Sequence, residues 1–190
     1  MKTAFQSLMV LVVLTVLTGV IYPLAVSGVG QFFFSNKANG QMIQVGDKVI
    51  GSRLIGQKTT SAKYFWPRPS STDYNAAASS GSNLGPTSAD LKKAYDERLK
   101  ATQAAHPDQA GMPPLDMLFA SGSGVDPEIS PAAAFYQLNR VAKARNLDQA
   151  QTQKLAGIVE ELVEKPTLGF MGDSRVNVLD LNLAMDKEFQ

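Results

Sequence analysis

The chain has 190 residues with 18 Lys and Arg against 17 Asp and Glu, one histidine and no cysteine, yet no charge falls between Thr3 and Asn36. Lys2 is the only charged side chain in the first 36 residues, so the 154 that follow carry 17 charges of each sign, with no long run of either. A neutral remainder excludes recruitment to nucleic acid or anionic lipid by bulk charge, and the missing thiols exclude a disulfide framework and thiolate chemistry.

Leu8 to Val29 is an uncharged run of 22 residues. As a helix it reaches about 33 Å, against a hydrocarbon core of about 30 Å. A cleaved signal peptide is the competing reading, because Lys2 supplies a basic start and Ala25-Val26-Ser27 has the small-x-small form. The length of the run, Pro23 within it and Phe32-Phe33-Phe34 beyond it favour a retained anchor whose aromatic rings sit at the interface. Thr15, Thr18, Gly19 and Tyr22 share one helical face, where small and polar residues admit a neighbouring helix. With Lys2 the only charge ahead of the span, the expected layout is a cytoplasmic N-terminus over 1–7, a transmembrane helix over 8–29 and an interfacial connector over 30–41. A soluble extracytoplasmic domain fills 42–190.

The spacing predicts two short strands in 42–57, joined by a tight turn at Gly46-Asp47. Residues 66–90 are dominated by Pro, Ser, Asn, Ala and Gly and read as a long loop, ordered by a partner or functional. Thr87 to Asp90 has the form of a capping box, and Leu91, Tyr95 and Leu99 stripe the helix that follows, which ends before His106-Pro107. Met117-Leu118-Phe119 is expected as a buried strand. Ser130 caps and Pro131 opens a helix to about Arg145, and Asp148 pairs with Gln151 at the start of another, striped by Leu155, Ile158, Val159 and Leu162. A short strand entering a C-terminal helix is expected from Val176 onward. The class is α+β: one N-terminal transmembrane helix, then one domain with few short strands and about four helices. Its core should be thin, since only 32 of the last 154 residues are Leu, Ile, Val or Phe and 20 are Ala.

Chemistry is sparse. No Gly-x-x-x-x-Gly-Lys cradle for nucleotide phosphates exists, and no aspartate is followed by Lys-Thr-Gly. His106 reads as a solvated helix-end residue, with no thiol or second histidine to complete a metal site. Ser61 with Lys63, or Ser123 in Ser121-Gly122-Ser123-Gly124, would be the nucleophile of a tethered serine hydrolase, the alternative to a binding subunit. Trp66 and Arg68, in the aromatic and proline-rich Tyr64 to Ser70, join Phe32, Phe33 and Phe34 as candidate partner contacts.

One family shares these motifs in order. Val20-Ile21-Tyr22-Pro23-Leu24, Tyr64-Phe65 with Arg68-Pro69-Ser70, Gly81 to Pro86, Ala120 to Gly124 with Asp126-Pro127, Arg140-Val141-Ala142, and Val176 to Leu179 with Leu181-Asn182-Leu183 together resemble the C subunit of the bacterial Kdp potassium-transporting ATPase. The resemblance implies a single-pass inner-membrane subunit beside the channel-like, potassium-translocating KdpA, the P-type ATPase subunit KdpB and the small KdpF. It implies no catalytic residue and no bound metal of this chain's own, ATP and potassium being handled by the complex. The family is described as a catalytic chaperone that raises the pump subunit's affinity for ATP. The polar loop tied to that role corresponds here to Ser79, Ser80, Gly81, Ser82 and Asn83, with Ser80 where the family commonly has glycine.

Overall fold

A computed structural model describes residues 2–189, which divide into two compact units, one ending at Ser52 and the other beginning at Arg53. In the first unit, α1 (Lys2–Val16), a π-helical turn (Leu17–Ile21) and α2 (Tyr22–Ala38) run on as one rod of 37 residues. Its most apolar stretch has a mean hydropathy of 2.4, and none of its described residues is buried. It is long and apolar enough to cross a bilayer. The π turn stands just ahead of Pro23, which has no N–H to give and whose ring crowds the carbonyl four residues back, that of Gly19. Widening relieves this: the Tyr22 N–H reaches the Leu17 carbonyl, five residues back.

Helix continues through most of the span expected as connector and stops at Ala38, with a local break at Phe34 (φ −136°, ψ 37°). Next comes the expected hairpin. β1 (Met42–Val45) pairs antiparallel with β2 (Lys48–Ser52) around Gly46-Asp47, with an irregularity between Ile43 and Gln44. Gly46 takes φ +60°, the conformation the tight turn demands.

The second unit is built on helices. α3 (Ala89–Ala105), α4 (Pro131–Ala144), α5 (Gln149–Glu161) and α6 (Val178–Glu188) are the four expected helices, joined by a two-residue antiparallel pair, β3 (Glu128–Ile129) with β4 (Val176–Asn177). The core is the seam of α4, α5 and α6: Ala133, Ala134, Leu138 and Val141 meet Leu155, Val159, Val178, Leu181 and Met185, with Phe65 and Met117 closing it. Local chemistry sets the helix starts. Ser130 accepts from the Ala133 N–H with Pro131 at the first turn, and Asp148 and Gln151 form the reciprocal capping box. Asn177 caps α6 by accepting from both Leu179 and Asp180, so the alternation there resolves into a brief strand and then helix.

Two local readings change. The cap of α3 is Ser88, accepting from Leu91 N–H, one residue later than the capping-box spacing suggests. The expected strand at Met117-Leu118-Phe119 is a 3₁₀ turn over Leu115–Met117. Met117 and Leu118 are buried as expected, but the Phe119 and Leu118 amides bond back to the Leu115 carbonyl instead of to a neighbouring strand. An apolar run of three cannot distinguish those outcomes by periodicity.

Candidate functional site

The polar centre of the second unit lies where the segment Phe65–Arg68, which follows a turn closed by the Tyr64 N–H on the Ser61 carbonyl (3.3 Å), crosses α4 and α6. No strand pairs with it. Asn182 of α6 accepts from the Phe65 N–H (2.8 Å) and donates to the Phe65 carbonyl (3.0 Å). Gln137 of α4 does the same for Trp66, at 2.7 and 3.1 Å. Each carboxamide thus supplies the donor and acceptor that a neighbouring backbone would.

Arg140 gathers this segment. Its Nε donates to His106 Nε2 (3.0 Å), and its terminal nitrogens donate to the carbonyls of Ala62 (2.6 Å) and Tyr64 (3.0 Å) and to Gln137 Oε1 (2.8 Å). Its guanidinium lies 3.9 Å from the Trp66 ring centre, a cation–π stack. None of these partners is a carboxylate. Burial pushes the Arg140 pKa down to about 10, which leaves it cationic at neutral pH.

His106 departs from expectation. It is 3% exposed, packed edge-on to Trp66 and beside Tyr136, not solvated. From the C-cap of α3 it lies against Arg140 and Tyr136 of α4. The Thr102 carbonyl 2.7 Å from Nδ1 can only accept, so Nδ1 carries the proton and Nε2 is free to accept from Arg140: the imidazole is neutral. Burial, and then the Arg140 charge, lower its pKa against the opposing pull of Thr102.

A histidine depressed in the fold takes up a proton on unfolding. Its stabilising contribution is therefore complete above the ordinary imidazole value near 6.5 and is lost as pH falls below that. Stability of the full chain should drop as pH falls through and below about 6.5, by at most about 1.4 kcal/mol per pH unit for one proton. Urea melts across that range check it, and His106→Gln should flatten the slope.

Residues 68–85, expected as a loop, are ordered by the chain itself. Ser70 Oγ donates to the Gly124 carbonyl (2.5 Å) and accepts from the amides of Thr72 and Tyr74, while Tyr74 Oη donates to the Arg68 carbonyl (2.7 Å). Ser79 Oγ donates to the Ser123 carbonyl (2.9 Å), and the Ser80 carbonyl accepts from Ser71. Gly81 lies so close to Gly122 that a Cβ on it would stand 2.9 Å from the Gly122 oxygen. Ser79 and Gly81 thus hold two loops together, the Ser80 carbonyl bonds within its own loop, and Asn83 occupies the left-handed region at φ +54°. Arg68 is held by Asp126 Oδ2 at 2.9 Å, with both side chains partly exposed.

The candidate nucleophiles are separately engaged. Ser61 Oγ accepts from the Lys63 backbone N–H, not its ammonium, and Ser123 Oγ accepts from the Val125 N–H. On the apolar rod, Thr15, Thr18, Gly19 and Tyr22 are exposed, with Thr18 Oγ1 donating to the Leu14 carbonyl (2.7 Å). Thr18 and Gly19 fall inside the π turn, whose wider step offsets Tyr22 from the strip that regular α geometry would give. Phe32, Phe33 and Phe34 are exposed, the first two ring centres 4.8 Å apart.

The model of the family described as "KdpC: K+-transporting ATPase, c chain" matches residues 4–187. A potassium-transporting ATPase KdpC subunit of Serratia proteamaculans is 52% identical over 183 residues, 95% of each chain. Namesakes from Methylococcus capsulatus (49%, 95% of each chain) and Leptospira interrogans (46%, 96% of this chain and 93% of the relative) agree along the same span. The chain belongs to the KdpC family. It is thus a subunit of a K+-transporting ATPase complex, which implies companion subunits.

Seen as a KdpC protein, the chain hides its organising residues in plain view. Gln137 and Arg140 sit within the apolar stripe of α4, one turn on from Ala133 and beside Val141, and Asn182 interrupts the Val178, Leu181, Met185 stripe of α6. A polar residue inside an apolar stripe was the available signal. It marks a buried group that must find a partner.

Proposed function

We propose that this chain is a non-catalytic accessory subunit of the ATP-driven potassium uptake complex. It is anchored in the inner membrane by residues 8–29, with its N-terminus cytoplasmic and its folded domain outside. It supports assembly of the channel-like, P-type ATPase and small helical subunits and raises the pump subunit's affinity for ATP. With the domain outside and ATP inside, that effect passes through packed helices and not through contact between nucleotide and Ser79–Asn83. The observation that carries this reading is where the polar groups go: Arg140, Gln137, Asn182, Ser70 and Ser79 spend their hydrogen bonds on this chain's own backbone. Such groups build a scaffold that presents a surface. The apolar rod, long enough to span, supports the anchor.

The test is potassium-stimulated ATP hydrolysis by the complex with and without this chain. Omission should raise the apparent KM for ATP, and an unchanged KM in an otherwise assembled complex would refute the chaperone role. A cysteine introduced at Ser82, in a chain with none, should react with an impermeant thiol reagent in whole cells. Reaction only after lysis, in the chain expressed alone, would place the domain inside.

A further inference from the structure

The π turn ahead of Pro23 leaves main-chain acceptors without donors. The Tyr22 N–H is spent on the Leu17 carbonyl, so the Thr18 carbonyl, which regular α geometry would pair with residue 22, loses that donor. One residue further on stands Pro23, which has no N–H. The next donor, the Leu24 N–H, lies five residues beyond Gly19 and four beyond Val20, and it serves one of the two. Of the three successive carbonyls at Thr18, Gly19 and Val20, two are therefore left without a main-chain partner.

No side chain of the rod makes up the loss. Among the described residues up to Val29, the side-chain hydrogen bonds are those of Ser7 Oγ to the Thr3 carbonyl and Thr18 Oγ1 to the Leu14 carbonyl. Thr18, Gly19 and Val20 are all exposed, and a Cβ placed on Gly19 would meet nothing within 4 Å. The backbone is bare where its acceptors are free.

Depth decides what covers them. Thr18 stands in the middle of the uncharged run Leu8 to Val29, about 15 Å of helix from either end. Acyl chains carry no donor and water is scarce at that depth, so an unpaired carbonyl there is costly. Neighbouring helices are the usual source of donors for groups that a proline frees. A second copy of this chain is one such neighbour, but membership of a family of K+-transporting ATPase subunits favours a companion subunit.

We propose that the carbonyls freed between Thr18 and Val20 are a hydrogen-bonding socket for a neutral donor side chain, a hydroxyl or a carboxamide, on a membrane-spanning helix of a companion subunit. The donor is neutral because a charge at the centre of a bilayer is expensive. Gly19, with no side chain, lets the neighbouring helix come close enough to deliver it. The proposal rests on the accessory-subunit reading, with the rod as membrane anchor, and names the atoms by which the anchor recognises its neighbour.

Two measurements on the co-expressed complex test it. In the first, companion subunits are recovered on the tagged full chain carrying either Tyr22→Thr or Tyr22→Val. The two side chains have nearly the same shape, but in a helix a threonine hydroxyl bonds the carbonyl three or four residues back, here that of Gly19 or Thr18, and satisfies the socket from within. Recovery should be about three- to twentyfold lower on Tyr22→Thr than on Tyr22→Val, the range for hydrogen bonds between membrane helices. Equal recovery by the two variants overturns the proposal alone. No recovery even on the wild-type chain overturns the accessory-subunit reading and the proposal with it. In the second, Tyr22 is replaced by photoreactive benzoylphenylalanine, which keeps an aromatic side chain four residues from Thr18, and the membranes are irradiated. A covalent adduct with a companion subunit is expected, whereas adducts with lipid alone, with a second copy of this chain alone, or none, overturn the proposal.

Discussion

Arg140→Met should destabilise the second unit by about 3–5 kcal/mol, a large share of a typical total of about 5–15 kcal/mol. The substitution keeps the aliphatic stem and removes donors to the Ala62 and Tyr64 carbonyls, Gln137 Oε1 and His106 Nε2, as well as the stack on Trp66. A buried acceptor left without its donor costs about 1–3 kcal/mol, and three are so affected, since Gln137 Oε1 keeps the Trp66 N–H. Against this, a buried cation facing no carboxylate disappears, which returns part of its desolvation penalty. That offset keeps the expectation below the simple sum. Arg140→Lys should rescue little, since a point-like ammonium cannot span the positions that a planar fork reaches. Trp66 is the only tryptophan and lies under the guanidinium, so its fluorescence reports urea unfolding of the detergent-solubilised chain at the relevant place. A loss under about 1 kcal/mol would mean that the Arg140 cluster contributes little to the fold.

Phe65→Ala should cost about 3–5 kcal/mol by a different route. Phe65 has no exposed surface and is the largest side chain in the core. Its backbone bonds to Asn182 are made whatever the side chain, so the substitution isolates lost packing and the cavity left behind. Phe65→Leu, which fills most of that volume, should cost less than about 1.5 kcal/mol. Equal losses for the two variants would show that the cavity is not the cause. The same fluorescence melt measures both.

Elements governed by local rules were legible in the sequence. Ser130 before Pro131, Asp148 with Gln151, and Gly46-Asp47 between apolar pairs fix their starts and turns by contacts within a few residues. The apolar rod and the α+β class followed from pattern alone. Three features were not legible, for physical reasons. Met117-Leu118-Phe119 announces burial but is too short for a period to show shape. His106 looks solvated beside a proline, and only the fold brings Arg140, distant in sequence, to its Nε2. Residues 68–85 look unstructured because their partners, Ser123 and Gly124, lie some 40 to 55 positions further along.

The use of Gln137 and Asn182 in place of a partner strand has a consequence for solubility. A conventional strand across this surface would leave a row of free amides and carbonyls, a template on which another chain could lengthen the sheet. A side-chain carboxamide satisfies one residue and cannot be continued, and the β3–β4 pair is only two residues long. The second unit thus holds an extended segment in its middle while offering almost no sheet edge to a neighbour. For the second unit, that arrangement is a safeguard against edge-to-edge self-association.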